Sequence, residues 1–157
     1  MATQSVTILG GGNTAFATAA RLTLKGFEVT LFELPEFASA LEPIMESHVI
    51  NLEGVLENGP ARIHGVTTDA EEALAASDLA LLIVPAYAHK AFAEACAPHL
   101  REHHTVVLIP GTMGSLEWAQ ILKEQGVSGV TLAEVDTAPS VMDFVSSSEG
   151  LQLNRAY

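Results

Sequence analysis

The sequence predicts an α/β fold built on a doubly wound, mainly parallel sheet with helices on both faces. Short apolar segments alternate with segments of helical periodicity along the chain, and this alternation is typical of parallel sheets joined by right-handed crossovers. The segments 79–84 and 105–109 are apolar almost throughout, as strands buried on both faces of a sheet are. Both observations favour a sheet between two helical layers.

Length and composition predict a single domain over residues 1–157. A chain of 157 residues, 48% of them hydrophobic, can form one core but is short for two domains. No apolar run is long enough to cross a bilayer, and no basic leader precedes the first apolar segment. Cys96, the single cysteine, has no partner for an internal disulfide, which agrees with a reducing compartment. We therefore expect a cytoplasmic protein.

The charge of the chain excludes two classes of partner. The formal net charge is −12, and the seven Lys and Arg residues are scattered along the chain. Nucleic acids and anionic membranes require a basic face, so neither is expected as a partner. An anionic ligand would have to be attracted by backbone dipoles instead of basic side chains.

The first part of the chain predicts a strand, a helix and a second strand. An apolar strand at 6–9 leads into a helix over 13–25, and Gly26 fits the position after the helix, where φ is often positive. The β-branched and aromatic segment 27–32 follows as a strand parallel to the first. A second helix is expected over 36–47.

The remainder of the chain continues the alternation after a hairpin. The hairpin is expected within 48–65, which contains Gly54, Asn58-Gly59-Pro60 and two short apolar alternations at 49–52 and 61–64. Thr68 and Glu71 form a capping box that opens a short helix. The further predicted elements are a strand at 79–84, a helix at 87–97, a strand at 105–109, a helix at 116–124, a strand at 130–133, a Ser-rich passage at 141–150 and a short strand at 151–153.

The glycine turn between the first strand and the first helix has the spacing of a dinucleotide-binding loop. In Gly10-x-Gly12-x-x-Ala15, the first glycine permits a tight turn, the second lets backbone N–H groups approach a pyrophosphate, and Ala15 lets the helix pack closely on the strand. The positive end of the helix dipole would face the phosphates. Glycine clusters also form ordinary turns, but the surrounding elements favour a Rossmann-type domain. The predicted phosphate-binding residues are Gly10, Gly11, Gly12, Asn13 and Thr14.

An acidic residue at the end of the second strand predicts the choice of cofactor. Glu33 lies 23 positions after Gly10, where a carboxylate accepts hydrogen bonds from the adenosine ribose hydroxyls of NAD. NADP is less favoured, because its 2′-phosphate would meet this carboxylate and no Lys or Arg occurs between Lys25 and Arg62. The alternative is a solvated acidic residue at a strand end.

Two further loops follow predicted strands at the edge where open α/β sheets bind ligands. They contain Val84-Pro85-Ala86 and Pro110-Gly111, and we expect these residues to flank the second ribose and the nicotinamide. Ordinary strand-to-helix turns would have the same composition.

No residue is predicted to be catalytic, and no metal site is predicted. The six histidines lack the spacing of metal ligands. We expect His89 on the surface of a helix near the 84–86 loop, His103 and His104 at solvated positions, and Cys96 as a buried small hydrophobe.

Taken in order, these motifs resemble the N-terminal NAD-binding domain of the octopine/nopaline (opine) dehydrogenase family. The resemblance covers nearly the whole chain, and the residues that carry it are 10–15, 24–26, 66–69, 77–79, 84–86 and 109–114. It implies an oxidoreductase that condenses an amino acid with a 2-oxo acid and reduces the imine with NADH or NADPH. It also implies a second, helical domain that supplies the catalytic histidine. Because that domain is absent from these 157 residues, we expect the chain to be inactive alone.

Two alternatives stay open. The first half of the chain equally resembles a ketopantoate-reductase-like or hydroxyacid dehydrogenase cofactor domain, although the 110–114 loop fits these less well. A non-catalytic module that senses NAD(H) belongs to a different class of function. An apolar patch for a missing domain can also support a homodimer.

Overall fold

A computed structural model describes residues 4–53, 57–138, 142–147 and 150–156. Ten strands are present in these ranges: β1 (Ser5–Leu9), β2 (Glu28–Phe32), β3 (Val49–Glu53), β4 (Gly59–Arg62), β5 (Gly65–Thr67), β6 (Leu79–Leu82), β7 (Thr105–Leu108), β8 (Thr131–Glu134), β9 (Met142–Ser147) and β10 (Gly150–Ala156). The α-helices in the same ranges are α1 (Asn13–Leu24), α2 (Glu42–Met45), α3 (Ala70–Ala75), α4 (His89–Cys96) and α5 (Gly114–Glu124).

The main sheet has six strands in the order β5-β2-β1-β6-β7-β8, and every pair in it is parallel. The chain builds outward from β1 in one direction through β2 and β5, and then returns to place β6, β7 and β8 on the other side of β1. The predicted doubly wound, Rossmann-type sheet is therefore confirmed. The direction in which the chain adds strands reverses between β1 and β6, and doubly wound sheets leave a crevice at this point.

Two apolar layers cover the main sheet. On one face, Ile8 and Val29 belong to the same cluster as Phe16 of α1; on the other, Leu9 belongs to a cluster with Phe92 of α4 and Trp118 of α5. Neighbouring residues of a strand point to opposite faces, so Ile8 and Leu9 serve different layers. This explains why the strands are apolar without alternation. None of the helices in the described ranges is long and apolar enough to cross a membrane.

A second sheet in the order β4-β3-β10-β9 was not predicted. The expected hairpin is confirmed as the antiparallel pair β3 and β4. The expected strand at 151–153 lies within β10, which pairs in parallel with β3 and antiparallel with β9. The Ser-rich passage at 141–150 contains β9, which pairs with the next strand along the chain, β10. β10 in turn pairs with β3, which lies far earlier in the chain.

Two predicted helix features were wrong. The segment 36–47 is not one helix but a 3₁₀ helix, Pro35–Ala40, followed by the short α2. Pro43 lies in the first turn of α2, and a continuous helix would lose a hydrogen bond at this residue, which has no N–H. At α3 the capping residue is Asp69 rather than Thr68, since Asp69 Oδ1 accepts from the N–H groups of Glu71 (2.8 Å) and Glu72 (3.2 Å).

Candidate functional site

A cavity of about 310 Å³ opens at the carboxyl edge of the main sheet, where the strand order reverses. Residues that follow four strands line it, and parallel strands bring such residues together at one edge. They are Gly12, Asn13 and Thr14 after β1, Ile83, Val84 and Pro85 after β6, Ile109 and Pro110 after β7, and Ala138 after β8. The position matches the crevice in which open α/β sheets bind ligands.

Gly10 makes the tight turn that the sequence predicts. Its φ of +127° is rarely adopted by a residue with a side chain, and a Cβ there would lie 2.6 Å from the carbonyl oxygen of Ile83. The Gly10 N–H donates to the carbonyl of Phe32 at 2.8 Å. Gly10 therefore joins three neighbouring strand ends and does not itself line the cavity.

The two following glycines have different surroundings. A Cβ on Gly11 would lie 3.1 Å from Glu33 Oε2 and 3.2 Å from Ala40 Cβ, so Gly11 is confined by the protein. A Cβ on Gly12 would have no protein atom within 4 Å. Gly12 instead faces the cavity.

The first turn of α1 is suited to an anion. Gly12 is the residue before the helix, no side chain caps it, and the first turn contains no acidic residue. The leading N–H groups of a helix have no partner within the helix, and the helix dipole is positive at this end. Asn13 and Thr14, the first residues of α1, line the same cavity. A pyrophosphate fits this arrangement, since backbone groups can bind it without a basic side chain.

The carboxylate of Glu33 is bound to the glycine loop. Oε2 accepts from the Gly11 N–H at 2.7 Å and Oε1 from the Leu34 N–H at 2.8 Å. Only 7% of the residue is exposed, so it is not the solvated strand-end residue that was the alternative. Burial raises the pKa of the Glu33 carboxyl, the two N–H donors oppose that rise, and the negative charge of Glu36 adds to it. Each oxygen keeps a lone pair for a further donor such as a ribose hydroxyl.

The structure divides the predicted residues of the other two loops. Val84, Pro85 and Pro110 line the cavity. Ala86 is exposed in a 3₁₀ turn, and Gly111 packs against the end of β8. A Cβ on Gly111 would lie 2.4 Å from Glu134 Cβ, and the Gly111 N–H donates to the Val135 carbonyl at 2.9 Å. Gly111 thus brings its loop close to the end of β8.

Sequence reasoning missed three cavity residues and one carboxylate. Ile83 and Ile109 were predicted inside strands, but β6 and β7 end at Leu82 and Leu108, which leaves the isoleucines in the loops. Ala138 carries no sequence signal. Glu134 ends β8 and accepts from the N–H groups of Met113 (3.1 Å) and Ser115. Its signal was the one used for Glu33, an acidic residue at the end of a strand.

Two expectations for the histidines were wrong. His89 is 1% exposed, since its ring lies under Gly114. His104 is 3% exposed; its Nδ1 accepts from the Arg101 N–H at 2.8 Å, and its Nε2 lies 3.0 Å from the Leu74 carbonyl.

Cys96 is buried as expected, and burial raises the pKa of its thiol to about 12. Within the described ranges, no three His, Cys, Asp or Glu residues are grouped as a metal site would require.

Solved structures agree with this architecture. An octopine dehydrogenase in complex with NADH and agmatine superposes with a TM-score of 0.82 over 96% of this chain and 39% of its own, at 21% identity. A PanE/ApbA family ketopantoate reductase from Ralstonia eutropha JMP134 gives a TM-score of 0.63 over 98% of this chain and 46% of its own, at 20% identity. At these identities the likeness shows a shared fold.

Sequence comparison goes further. The opine dehydrogenase of Arthrobacter sp. (strain 1C) is 33% identical over 135 residues, which are 85% of this chain and 37% of that protein. The chain thus spans a little over a third of the length of this relative. A family model described as NADP oxidoreductase coenzyme F420-dependent matches residues 5–109. The chain therefore belongs to the coenzyme F420-dependent NADP oxidoreductase family and, over most of its length, is similar to the opine dehydrogenases.

Proposed function

We propose that this chain is the cofactor-binding part of an opine-type dehydrogenase and that it binds NAD(H). The open space over Gly12 carries the proposal. Its φ of −91° is accessible to any residue, and no protein atom would contact a Cβ there. Protein packing and backbone conformation therefore leave the missing side chain unexplained, whereas a pyrophosphate on the first turn of α1 explains it.

The proposed roles follow the edge of the sheet. When bound, NAD(H) supplies or accepts a hydride. The loop after β1 would hold the pyrophosphate, the end of β2 the adenosine ribose, and the loops after β6 and β7 the second ribose and the nicotinamide. The contacts would come from Gly12, Asn13 and Thr14, from Glu33, from Val84 and Pro85, and from Pro110. Gly10, Gly11, Ala86 and Gly111 belong to the same loops without lining the cavity, and the three glycines among them would shape the loops.

The preference for NAD over NADP is argued from Glu33. The matching family is described as an NADP oxidoreductase family, whereas the similar octopine dehydrogenase is solved with NADH. The preference between NAD and NADP is therefore argued from this chain's own residues. A 2′-phosphate would add negative charge beside a buried carboxylate and Glu36. Arg21 of α1 and Lys25, the residue that follows α1, form ion pairs with Glu57 at 2.9 and 3.0 Å.

For the whole protein we propose the reductive condensation of an amino acid with a 2-oxo acid, as in opine dehydrogenases. The match covers 37% of the Arthrobacter relative, and we assign this chain cofactor contacts and no catalytic residue. Turnover by the 157 residues alone is not expected.

We also propose that residues 1–157 form one domain and that the protein lies in the cytoplasm. A homodimer stays a prediction, which light scattering of the purified chain tests.

The substitution Gly12→Ala tests the proposed function. Alanine fits the backbone, so the melting temperature should not fall, while its methyl group occupies the place of the pyrophosphate and should abolish detectable NADH binding in calorimetry. Gly26→Ala is the matched control, because Gly26 also has open space but a φ of +91°. It should lose stability and keep NADH affinity. Full NADH affinity in Gly12→Ala, or none in the wild type, would contradict the proposal.

A further inference from the structure

The loop after β7 has a strained shape beside the cavity. Ile109 and Pro110 line the cavity, and Thr112 and Met113 follow with φ of 47° and 66°. This left-handed conformation is unfavourable for residues with side chains and persists where surrounding contacts hold it. The contacts that hold these two residues therefore control the shape of the loop over 110–114.

Three hydrogen bonds join residues 111, 113 and 115 to the end of β8. Glu134 Oε2 accepts from the Met113 N–H at 3.1 Å, and Oε1 accepts from the Ser115 N–H. The Gly111 N–H donates to the Val135 carbonyl at 2.9 Å. One carboxylate and one carbonyl thus bind the loop at three points. The backbone N–H and hydroxyl of Ser115 are the main reason that the pKa of Glu134 lies below its usual value.

The glycines of the loop leave room for the side chains around it. A Cβ on Gly111 would lie 2.4 Å from Glu134 Cβ, and a Cβ on Gly114 would lie 2.1 Å from His89 Nδ1. Non-bonded atoms in a packed protein do not approach each other this closely. The loop is therefore packed directly against both Glu134 and His89.

The glycine loop after β1 is held in a corresponding way. Glu33 follows β2, the neighbour of β1, and binds the Gly11 N–H; Glu134 ends β8, the neighbour of β7, and binds the Met113 N–H. Each of the two loops is thus tied to the adjacent strand end by a carboxylate. The two loops lie on either side of the residues that follow β6 in the cavity lining.

We propose that Glu134 is a positioning residue for the nicotinamide end of the dinucleotide, acting through the 110–114 loop. This inference rests on the proposed function. With the pyrophosphate on the first turn of α1, the distal half of the dinucleotide extends across the cavity to Ile109 and Pro110. In this proposal Glu134 does not contact the dinucleotide. It keeps the 110–114 loop in the shape that receives the nicotinamide half.

Calorimetry on the 157-residue chain with two ligands tests this role. NADH carries the nicotinamide ring, and ADP-ribose lacks it. Glu134→Ala should weaken NADH binding about fivefold and ADP-ribose binding by less than about twofold. Glu117→Ala removes another exposed carboxylate near the start of α5 and should leave both affinities unchanged. Glu33→Ala should weaken both ligands to the same extent.

Gly111→Ala is the second variant. Its methyl group must displace the Glu134 side chain, so it should produce the same difference between NADH and ADP-ribose without removing the carboxylate. Circular dichroism melts of each variant exclude loss of folding. Equal losses for both ligands in Glu134→Ala, or no loss for either, would overturn the role of Glu134 while dinucleotide binding stands. A wild-type chain that binds neither ligand would overturn the proposed function and this inference with it.

Discussion

The Glu33 carboxylate accepts a hydrogen bond from the backbone N–H of Gly11, with 2.7 Å between Oε2 and the nitrogen. The side chain at the end of β2 therefore holds the middle residue of the glycine loop after β1. A Cβ on Gly11 would lie 3.1 Å from the same oxygen and 3.2 Å from Ala40 Cβ, so a side chain at this position would have to displace both neighbours slightly. The same buried side chain thus shapes the loop and carries the proposed preference for NAD.

Removing the Glu33 carboxylate should weaken NADH binding and reduce the preference over NADPH. Charge-assisted hydrogen bonds contribute about 1.5 to 3 kcal/mol, which corresponds to a loss of about ten- to a hundredfold for Glu33→Ala. Calorimetry with both dinucleotides measures the change. Glu36→Ala removes an exposed carboxylate from the adjacent 3₁₀ turn and should retain NADH affinity. Unchanged NADH binding in Glu33→Ala would remove the role assigned to Glu33.

The raised pKa of Glu33 predicts a pH dependence of stability. Burial raises this pKa above the usual 4.5, so the folded chain binds the proton more tightly than the unfolded chain does between 4.5 and the raised value. The stability contributed by this group is then complete below 4.5 and is lost as the pH rises through the folded pKa. The free energy of unfolding of the wild type, minus that of Glu33→Gln, should fall across this window in urea titrations. A difference that rises with pH would contradict the direction of the shift.

Gly10→Ala should destabilise the fold through two separable causes. The positive φ is unfavourable for alanine, and the new Cβ would approach the Ile83 carbonyl oxygen to 2.6 Å. We expect a loss of more than about 2 kcal/mol in the free energy of unfolding. Gly59→Ala isolates the first cause, because Gly59 has a φ of +134° and no atom within 4 Å of its Cβ position. Equal losses in the two variants would show that the close approach has no cost.

The start of α3 provides a prediction that is independent of ligand binding. Asp69→Ala removes the acceptor for two N–H groups and should lower the free energy of unfolding by about 1 kcal/mol. Thr68→Ala should have little effect, since Thr68 is not the capping residue. Denaturant unfolding measures both, and NADH affinity should be unchanged in both. A larger loss in Thr68→Ala would favour the capping box instead.

The order of elements and the first loop could be predicted because their signals are local. The change from apolar strand to helical periodicity locates β1, α1 and β2, and the spacing of Gly10, Gly12 and Ala15 follows from backbone geometry within six residues. Glu33 was found by its distance from the glycines and its place after a strand. The family resemblance also depended on short motifs of this kind.

Only the tertiary structure decided which of these residues share a cavity and which hold others in place. The sequence by itself determined a doubly wound sheet with a glycine turn at its first crossover, because hydrophobic periodicity and backbone conformation act between near neighbours. The second sheet, the burial of His89 and the contacts of Glu134 depend on pairs such as β3 with β10 or Glu134 with Met113. These partners are far apart in the chain and meet only after the strands have assembled, so no local pattern specifies them.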